Sequence, residues 1–423
     1  MHQAGPSEAD TKPARLDSLN QCNTQLYQTI FPFNGYFTSR RYVMIGFSLS
    51  EEQRFIRKLA RDFAQNEMVP RAEHYDQTAE YPWEVIEKAH EVGLLNIIIP
   101  EDLGGVGAGS LEECLVAEEF FAGDAGMGTS MLANNLGMMP IVASGTEGQK
   151  EKFLTPFLEK PIMAAFCLTE SGAGSDVANL RTSWRRDGDE YVLNGSKMFI
   201  TNGGVASLYT VFATAEPGKR NYRAFSAFIV PRDLSGVSVG KKENKMGHRC
   251  SDTSEVIFDD VRLPADHLLG QEGQGFKIAM QTLDKSRAGI AASGVGIARA
   301  ALEAATEYAK ERQTFGKPLA AHQAIQFMLA DMAIKIETAR LITWKAAWLA
   351  DQGLPNNYES SIAKCYATDT CMDVTTDAVQ VLGGYGYSKE YPVERYMRDA
   401  KLMQIYEGAN QIQRIVISRN ILA

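Results

Sequence analysis

The chain after residue 45 opens with apolar side chains at helical spacing. Ser50 and Gln53 form a capping box, which predicts a helix that begins at Ser50 and stops before Pro70. The apolar stripe of this helix consists of Phe55, Ile56, Leu59 and Phe63. Further helices are predicted from Pro82 to near Gly93 and over residues 111–121, 129–143 and 146–158. Residues 46–161 are therefore predicted to form an all-helical N-terminal domain.

From residue 162 the period changes to alternating or short apolar runs bounded by Gly and Pro. The Asn194-Gly195 pair between two such runs predicts a hairpin, because Asn-Gly is a favoured two-residue hairpin turn. Its strands are predicted over residues 192–193 and 198–200, and further strands over residues 209–213, 225–230 and 255–258. Residues 162–272 are predicted to form an antiparallel β-domain.

After Gly275 the helical period returns, and three long helices are predicted. The first carries a stripe of Met280, Leu283, Val295, Ala298, Leu302 and Ala305. The second carries Ile325, Leu329, Met332, Ile336 and Trp344. The third is predicted over residues 358–381, and a last helix over residues 411–421. Residues 273–423 are predicted to form a four-helix bundle, which completes an α+β fold of three domains.

Residues 1–45 differ from the rest, because they are polar, rich in Asn, Gln, Ser and Thr, and lack helical periodicity. A mitochondrial transit peptide is rich in Arg and poor in acidic residues, whereas this segment carries Glu8, Asp10 and Asp17. Targeting is therefore the weaker interpretation, although Arg40-Arg41 lies near where processing would occur. We interpret the segment as disordered or as an upstream extension, with Met44 as an alternative start.

Composition excludes several classes of function. The formal net charge of the 423-residue chain is −9, and the chain has no long run of the clustered Lys and Arg that would neutralise the phosphates of a nucleic acid. No apolar run approaches the roughly 18 residues that a membrane span needs. The six cysteines form no Cys-x-x-Cys pair, and the six histidines form no cluster with metal-ligand spacing. We therefore expect a reducing compartment, with no metal site and no disulfide framework.

A candidate catalytic base lies near the C-terminus, in the run Tyr406-Glu407-Gly408. A Glu withdrawn from bulk water has a raised pKa, closer to the pH at which a general base works best. Gly408 would let a ligand or another backbone approach closely. The alternative is that the run only ends a loop before the last helix, whose N-terminal dipole Glu407 would favour.

The run resembles the Tyr-Glu-Gly catalytic segment of the acyl-CoA dehydrogenases. Other stretches, spread in that family's order between Phe166 and Gly384, resemble its other motifs. With the flanking sequence, the similarity covers residues 46–423. The chain is identified as a member of this family, with the greatest similarity to its medium-chain enzymes, and the resemblance implies an FAD cofactor.

Two of the motifs lie in the predicted β-domain and imply contacts with the cofactor. The residues implied to touch the flavin ring are Phe166, Cys167, Leu168 and Thr169 in the first motif, and Phe199, Ile200 and Thr201 in the second. Ser175, in the glycine-rich turn after the first motif, is implied to meet the acyl-CoA. Many members have Trp where this chain has Phe199, so the ring would still stack but would lack the indole donor.

The remaining motifs lie among the predicted C-terminal helices. The resemblance implies that the substrate is contacted by Asp284, Ser286, Arg287, Tyr406 and Gly408. It implies that the flavin pyrophosphate of a neighbouring subunit is contacted by Arg312, Thr314, Phe315 and Gln323. It also implies that the adenosine is contacted by Gln380, Gly383 and Gly384, and the flavin edge by Ala409, Asn410 and Gln411. Ala409-Asn410 departs from the Thr-containing version of many members, which leaves one hydroxyl contact unaccounted for.

The resemblance also implies a mechanism. Glu407 would take the α-proton of an acyl-CoA thioester while the flavin takes the β-hydride, and the Glu407 backbone N–H and a flavin hydroxyl would hold the carbonyl oxygen. Some relatives, such as the isovaleryl and long-chain enzymes, carry the base at the position of Ser286, where a serine cannot serve. Glu170 and Glu311 are the nearest other carboxylates by motif.

The implied function is α,β-dehydrogenation of a saturated medium-chain acyl-CoA in β-oxidation. Electrons would pass to electron-transfer flavoprotein, and a homotetramer is expected. The alternatives are a short-chain or branched-chain acyl-CoA dehydrogenase, an acyl-CoA oxidase, or a non-catalytic acyl-binding member, although the last would be expected to lose Glu407. The location would be cytoplasmic in a bacterium and the mitochondrial matrix in a eukaryote.

Overall fold

The computed structural model describes residues 48–423. The interpretation of residues 1–45, including Met44 as a start and processing near Arg40-Arg41, lies outside the described residues, as does Cys22.

The first predicted helix is present as α1, Glu51–Phe63, and its capping box is confirmed. Ser50 Oγ accepts from the Gln53 N–H at 3.1 Å, while Gln53 Oε1 accepts from the Ser50 N–H at 3.0 Å. The α-helical part ends before Pro70 as predicted, but the helical path continues through a π-helical turn at Ala64–Met68 and a 3-10 turn at Val69–Arg71. Proline is tolerated there because it stands in the opening turn of a new helical segment, where its missing N–H is not needed.

The other predicted N-terminal helices are present with shifted ends, the one predicted over residues 146–158 is divided into two, and a further helix that the sequence did not predict lies at Ala72–Thr78. They are α2, Ala72–Thr78; α3, Trp83–Glu91; α4, Ser110–Gly123; α5, Ala125–Ser144; α6, Glu147–Leu154; and α7, Pro156–Glu159. Asp124 caps α5 by accepting a hydrogen bond from the Met127 N–H at 3.0 Å.

The middle of the chain forms an eight-stranded sheet. Its strands are β1, Ala164–Cys167; β2, Ser183–Asp187; β3, Glu190–Thr201; β4, Leu208–Thr214; β5, Phe225–Pro231; β6, Val237–Lys242; β7, Thr253–Pro264; and β8, Leu268–Leu269. The order is β6-β7-β3-β2-β4-β5-β8, with β1 also paired to β4. Most pairs are antiparallel, but β4 is parallel to both β1 and β2.

The predicted hairpin at Asn194-Gly195 is wrong. Both residues lie inside the continuous strand β3, where the register against β7 shifts between Leu193 and Gly195. The glycine serves a bulge instead: its φ is +145°, and a Cβ there would lie 2.7 Å from the Thr182 Cα. The hairpin that does form joins β2 to β3 through Gly188, whose φ is +65°.

The C-terminal third is a bundle of long helices. They are α8, Gly275–Glu311; α9, Gln323–Asp351; α10, Asn357–Leu382; α11, Val393–Met403; and α12, Asn410–Leu422, with the short strands β9, Gln313–Thr314, and β10, Lys317–Pro318, between α8 and α9. Small side chains let these helices approach closely. At Gly296 of α8, for example, a Cβ would lie 2.3 Å from the Glu118 carbonyl oxygen of α4.

Two buried carboxylates connect the N-terminal helices to the bundle. Glu118 and Glu119 lie next to each other on α4 and are 2% exposed. Arg340 of α9 donates to both carboxylate oxygens of Glu118 at 3.0 Å, and Arg61 of α1 donates to both oxygens of Glu119 at 3.1 Å. Arg299 of α8 donates to Glu119 at 2.5 Å. This charge network fixes α8, the helix that carries Ser286, against the N-terminal helices.

Candidate active site

Glu407 lies in the short loop between α11 and α12. Its φ of +49° and the φ of +94° at Gly408 place two successive residues in left-handed conformations. A non-glycine residue in this region costs about 1–2 kcal/mol, so contacts around the loop must hold it there. One such contact is made by Gln413 Nε2, which donates to the Gly408 carbonyl oxygen at 3.0 Å.

The carboxyl group of Glu407 faces α8. Ser286 Oγ donates a hydrogen bond to Glu407 Oε2. Burial raises the pKa of Glu407, while the Ser286 hydrogen bond and the positive charges of Lys364 and Arg287 act in the opposite direction. The result is a carboxylate with a raised pKa and one fixed hydrogen-bond donor, which suits a general base.

Asp284 and Arg287 lie on the same helix as Ser286 and form an ion pair between Arg287 Nη1 and Asp284 Oδ1. Arg287 is buried, and its Nε has no hydrogen-bond partner among the described residues. The structure therefore brings three of the predicted substrate residues together beside Glu407.

Tyr406, the residue before Glu407, is held by contacts with Met403 and His248. Its hydroxyl donates to Met403 Sδ at 3.1 Å, and its ring lies edge-on to that of His248 at 6.1 Å between centroids. His248 is itself buried and fixed, because Thr129 Oγ1 lies 2.7 Å from its Nδ1 and the Asp399 carbonyl oxygen lies 3.0 Å from its Nε2. The carbonyl can only accept, so Nε2 carries the proton and Thr129 donates to Nδ1. Burial lowers the pKa of His248 to about 4, which keeps it neutral.

The sequence did not indicate Thr129, His248 or Asp399, although these residues join all three predicted domains behind Tyr406. A single histidine with no ligand-spaced neighbours carries no such signal in sequence.

Asn410 is one of the residues predicted at the flavin edge. Its side chain is buried and fully used inside the chain, where Nδ2 donates to Asp369 Oδ1 at 2.7 Å and to Thr368 Oγ1 at 2.9 Å. Oδ1 accepts from Lys364 Nζ at 2.9 Å. The side chain therefore anchors the start of α12 on α10. Ala409 is half-buried and Gln411 is exposed beside it.

The two predicted flavin segments of the β-domain are hydrogen-bonded to each other. The Met198 N–H donates to the Thr169 carbonyl oxygen at 2.9 Å, and Lys197 Nζ donates to the Leu168 carbonyl oxygen at 3.2 Å. Lys197 also pairs with Glu170 at 2.7 Å. Burial alone would raise the pKa of Glu170, but the charge of Lys197 and the hydrogen bonds that Glu170 accepts lower it. A carboxyl with a lowered pKa is a weak base and does not suit general-base catalysis.

Within these segments, Phe199 is the side chain best placed for a planar ligand. It is 60% exposed on a left-handed backbone with φ +58°, and it is followed by the buried Ile200 and the half-buried Thr201. Phe166 is half-buried and packs its ring on Phe212 at 4.9 Å. Cys167 is fully buried, and burial raises the pKa of its thiol, so it is unsuited to act as a nucleophile. Ser175 is exposed in the turn after β1.

The predicted pyrophosphate and adenosine residues meet at a second place. Arg312, Thr314, Gly383 and Gly384 line an open cleft of about 630 Å³, and the Arg312 guanidinium lies 5.5 Å from the Tyr385 ring centroid. At about 1.5 Å per residue, roughly 40 Å of α8 separates this cleft from Ser286. Within one chain the cleft and the Glu407 loop are therefore distinct. Phe315, at φ +50°, is 97% exposed, and Gln323 and Gln380 are also exposed.

These features fit a flavin dinucleotide. Phe199 and the glycine-rich turn near it offer an open surface for a ring system, and Arg312 with Gly383 and Gly384 offers a cation and accessible backbone for phosphates.

Among the described residues, no group of three or more His, Cys, Asp or Glu side chains could hold a metal ion. The five cysteines within residues 48–423 are buried and free. None of the helices in this part of the chain has the length and apolar character needed to cross a bilayer.

A three-domain α+β chain with a half-buried carboxylate of raised pKa and flavin-compatible surfaces is typical of a class of flavoprotein oxidoreductase. Family models match almost all of the described chain: the acyl-CoA dehydrogenase N-terminal domain at residues 50–160, the middle domain at residues 165–261 and the C-terminal domain at residues 273–422. The chain belongs to the acyl-CoA dehydrogenase family. It is an FAD-dependent oxidoreductase of fatty acid metabolism that acts on acyl-CoA.

Several relatives resemble the chain over nearly its whole described length. The probable acyl-CoA dehydrogenase fadE25 of Mycobacterium leprae is 46% identical over 89% of this chain and 97% of its own length. Butyryl-CoA dehydrogenase of Megasphaera elsdenii is 45% identical over 90% of this chain and 100% of its own, with a TM-score of 0.87. A chain from a structural study of the electron transferring flavoprotein of Acidaminococcus fermentans is 46% identical, covers 89% and 100%, and has a TM-score of 0.87. These similarities do not single out the medium-chain enzymes.

Proposed function

We propose that the protein converts a straight-chain acyl-CoA of short to medium length into its trans-2-enoyl-CoA, with Glu407 as the base. The observation that carries this proposal is the half-buried Glu407 carboxylate, which accepts a hydrogen bond from Ser286, lies in a left-handed loop and has a raised pKa. Bound FAD would supply the acceptor for the β-hydride.

The remaining roles follow from the positions of the side chains. Glu407 would take the α-proton, while its own backbone N–H, turned by the left-handed conformation, would donate to the thioester oxygen. Arg287, whose charge acts on Glu407, and its ion-pair partner Asp284 lie on α8 and would orient the thioester end of the substrate. Tyr406, packed on His248, would limit movement of the loop during turnover.

The base is tested with Glu407→Gln, which keeps the size of the side chain and removes its basicity. We expect the variant to retain FAD and to bind acyl-CoA, but to lose flavin reduction by about 10²–10⁴-fold or more. The measurement is anaerobic stopped-flow bleaching of the oxidised flavin. Reduction within about tenfold of the parent rate, with substrate bound, would assign the base elsewhere.

The preferred chain length is open between two classes. The Asp284-Lys285-Ser286-Arg287 motif favours medium chains, whereas the similarity to a butyryl-CoA dehydrogenase favours short ones. A steady-state scan over straight and branched acyl-CoAs separates them. A maximum with a branched substrate would contradict the straight-chain proposal.

We also propose a homotetramer, built as a dimer of dimers. Phe327, Ile334 and Leu341 recur every seven residues on α9, and each is at least half exposed, so they form an apolar stripe of the kind that packs against another helix. Phe315, also exposed, lies beside the cleft that contains Arg312. A purified protein that stays monomeric and colourless when supplied with FAD would contradict this assembly.

Electron-transfer flavoprotein is the proposed acceptor, supported by the similarity to a chain studied with that of Acidaminococcus fermentans. The competing function is an acyl-CoA oxidase, which would use the same residues and pass electrons to oxygen. Reoxidation of the substrate-reduced enzyme by oxygen, compared with reoxidation by the flavoprotein, distinguishes the two. The named relatives are bacterial, which favours the cytoplasmic alternative over the mitochondrial matrix.

A further inference from the structure

Lys364 is a buried cation that touches the catalytic loop. It lies in the middle of α10 with its side chain 0% exposed. Its Nζ donates to the Gly408 carbonyl oxygen at 2.8 Å and to Asn410 Oδ1 at 2.9 Å. These two acceptors flank Ala409 on either side, so one ammonium group holds both ends of the segment that follows Glu407.

This ammonium forms no ion pair with a carboxylate within the part of the chain that the structure describes. The contrast is Lys197, which is equally buried but pairs with Glu170 at 2.7 Å. A buried charge is costly unless nearby groups compensate it. For Lys364 the compensation comes from two neutral oxygen acceptors and from the field of more distant charges.

The titratable groups around Lys364 come from two helices and the loop. Asp369 and Cys365 lie on α10, Arg287 on α8, and Glu407 in the loop. Asp369 is already engaged, because it accepts hydrogen bonds from Gln404 and Asn410 and pairs with Arg414 of α12 at 2.6 Å. Burial lowers the pKa of Lys364 to about 8, and the charge of Glu407 is the strongest of the effects that oppose this.

We propose that Lys364 is a positioning residue for Glu407, which fixes the loop through Gly408 and Asn410 and favours the carboxylate form of the base by its charge. The inference rests on the proposed role of Glu407 and adds a source for its tuning. The coupling is mutual, since the positive charge of Lys364 also opposes the rise that burial causes in the pKa of Glu407.

Two substitutions separate the charge from the hydrogen bonds. Lys364→Gln removes the charge and keeps an amide donor, whereas Lys364→Met removes both and keeps a similar length. Each is prepared as the FAD-loaded holoenzyme, and the limiting rate of anaerobic flavin reduction by butyryl-CoA and octanoyl-CoA is followed as a function of pH.

We expect the pH midpoint of the reduction rate to move upward by about one unit in both variants, because a nearby favourable charge has been removed. At a pH below the midpoint, both variants therefore reduce flavin about tenfold more slowly, and raising the pH restores the Gln variant. The Met variant should also lose limiting rate at high pH, because the loop is no longer held. Lys401→Gln is the matched control: this lysine is exposed on α11, where it donates to Gln404, and its replacement should leave the midpoint unchanged.

An unchanged midpoint in both Lys364 variants would overturn the proposal, even if their rates fell. Loss of the folded holoenzyme in both variants would assign Lys364 to folding alone and would also overturn it. These outcomes differ from a failure of the proposed base, which shows as retained flavin reduction in Glu407→Gln.

Discussion

At the scale of single residues, the hydrogen bond from Ser286 to Glu407 is the contact that most directly adjusts the base. It favours the carboxylate, so Ser286→Ala should raise the pKa of Glu407 further. A hydrogen bond to a charged group contributes about 1.5–3 kcal/mol, so kcat/KM below the midpoint should fall about tenfold or more. Activity should recover as the pH rises, because the unprotonated base is then restored.

The measurement for Ser286→Ala is the pH profile of kcat/KM, and Ser293→Ala is its control. Ser293 is also buried on α8, but its hydroxyl donates to the Gly289 carbonyl oxygen at 2.8 Å within the helix. A pH profile that moves equally in the two variants would show that the effect is not specific to Glu407.

The residues that sequence indicated and those it missed differ in physical terms. Glu407 and Ser286 were found through local motifs, but their contact joins positions far apart in the chain and depends on how α8 packs. Lys364 gave no signal, because a lysine in a helix is almost always exposed and its burial is set by tertiary packing.

At the scale of elements, the loop between α11 and α12 depends on Gly408. Its φ of +94° is unfavourable for any residue with a Cβ, and a Cβ there would lie 2.4 Å from Gln413 Nε2. Gly408→Ala should lower the free energy of unfolding by about 1–2 kcal/mol and should reduce the rate of flavin reduction as the loop shifts. Thermal unfolding and stopped-flow reduction measure the two effects.

Gly353→Ala is the control for backbone strain alone, since its φ is +64° and no atom lies within 4 Å of an added Cβ. It should lose stability without losing activity. Equal losses of activity in the two variants would show that catalysis does not depend specifically on the conformation of the Gly408 loop.

The sequence alone could not predict the strained backbone at Glu407 and Gly408. In the same way, it assigned Asn194-Gly195 to a hairpin turn, although the pair forms a bulge inside β3. Both structures use a glycine, and the choice between them is made by strand pairing.

At the scale of the whole molecule, the helical and strand periods of the sequence were enough to predict a helical, a β-sheet and a second helical region. The charge network that joins the two helical regions depends on tertiary packing and could not be predicted. Glu119→Gln should lower the free energy of unfolding by about 3–5 kcal/mol, because Arg61 and Arg299 would both lose a buried carboxylate and Arg299 would keep only Glu118, at 3.4 Å, as a buried partner. The control is Glu337→Gln, an exposed partner of Arg340, with an expected change within about 0.5 kcal/mol. Chemical denaturation measures both.

This network also sets a pH dependence of stability. Although burial alone would raise it, Arg299 and Arg61 lower the pKa of Glu119 below its ordinary value of 4.5. The ionised Glu119 therefore contributes its full stabilisation at any pH above 4.5, the pKa of this carboxyl in the unfolded chain. This stabilisation is lost as the pH falls through the lower pKa of the folded state. The parent should lose more stability than Glu119→Gln between neutral and acid pH; parallel losses would contradict this assignment.

The cleft containing Arg312 links the cofactor to the assembly. It lies roughly 40 Å along α8 from Ser286, so a flavin near Glu407 cannot be reached by the Arg312 of the same helix, and we expect a second subunit to supply it. Arg312→Gln removes a cation suited to phosphate and should weaken FAD retention about 10- to 100-fold. The flavin absorbance per protein after extensive dilution and the oligomeric state are measured together.

The control is Lys310→Gln, which removes an exposed charge paired with Glu307 at the same end of α8. This variant should retain FAD like the parent. If Arg312→Gln also keeps its flavin on dilution, the cleft does not bind the cofactor, and the tetramer would have to be justified by the apolar stripe of α9 alone.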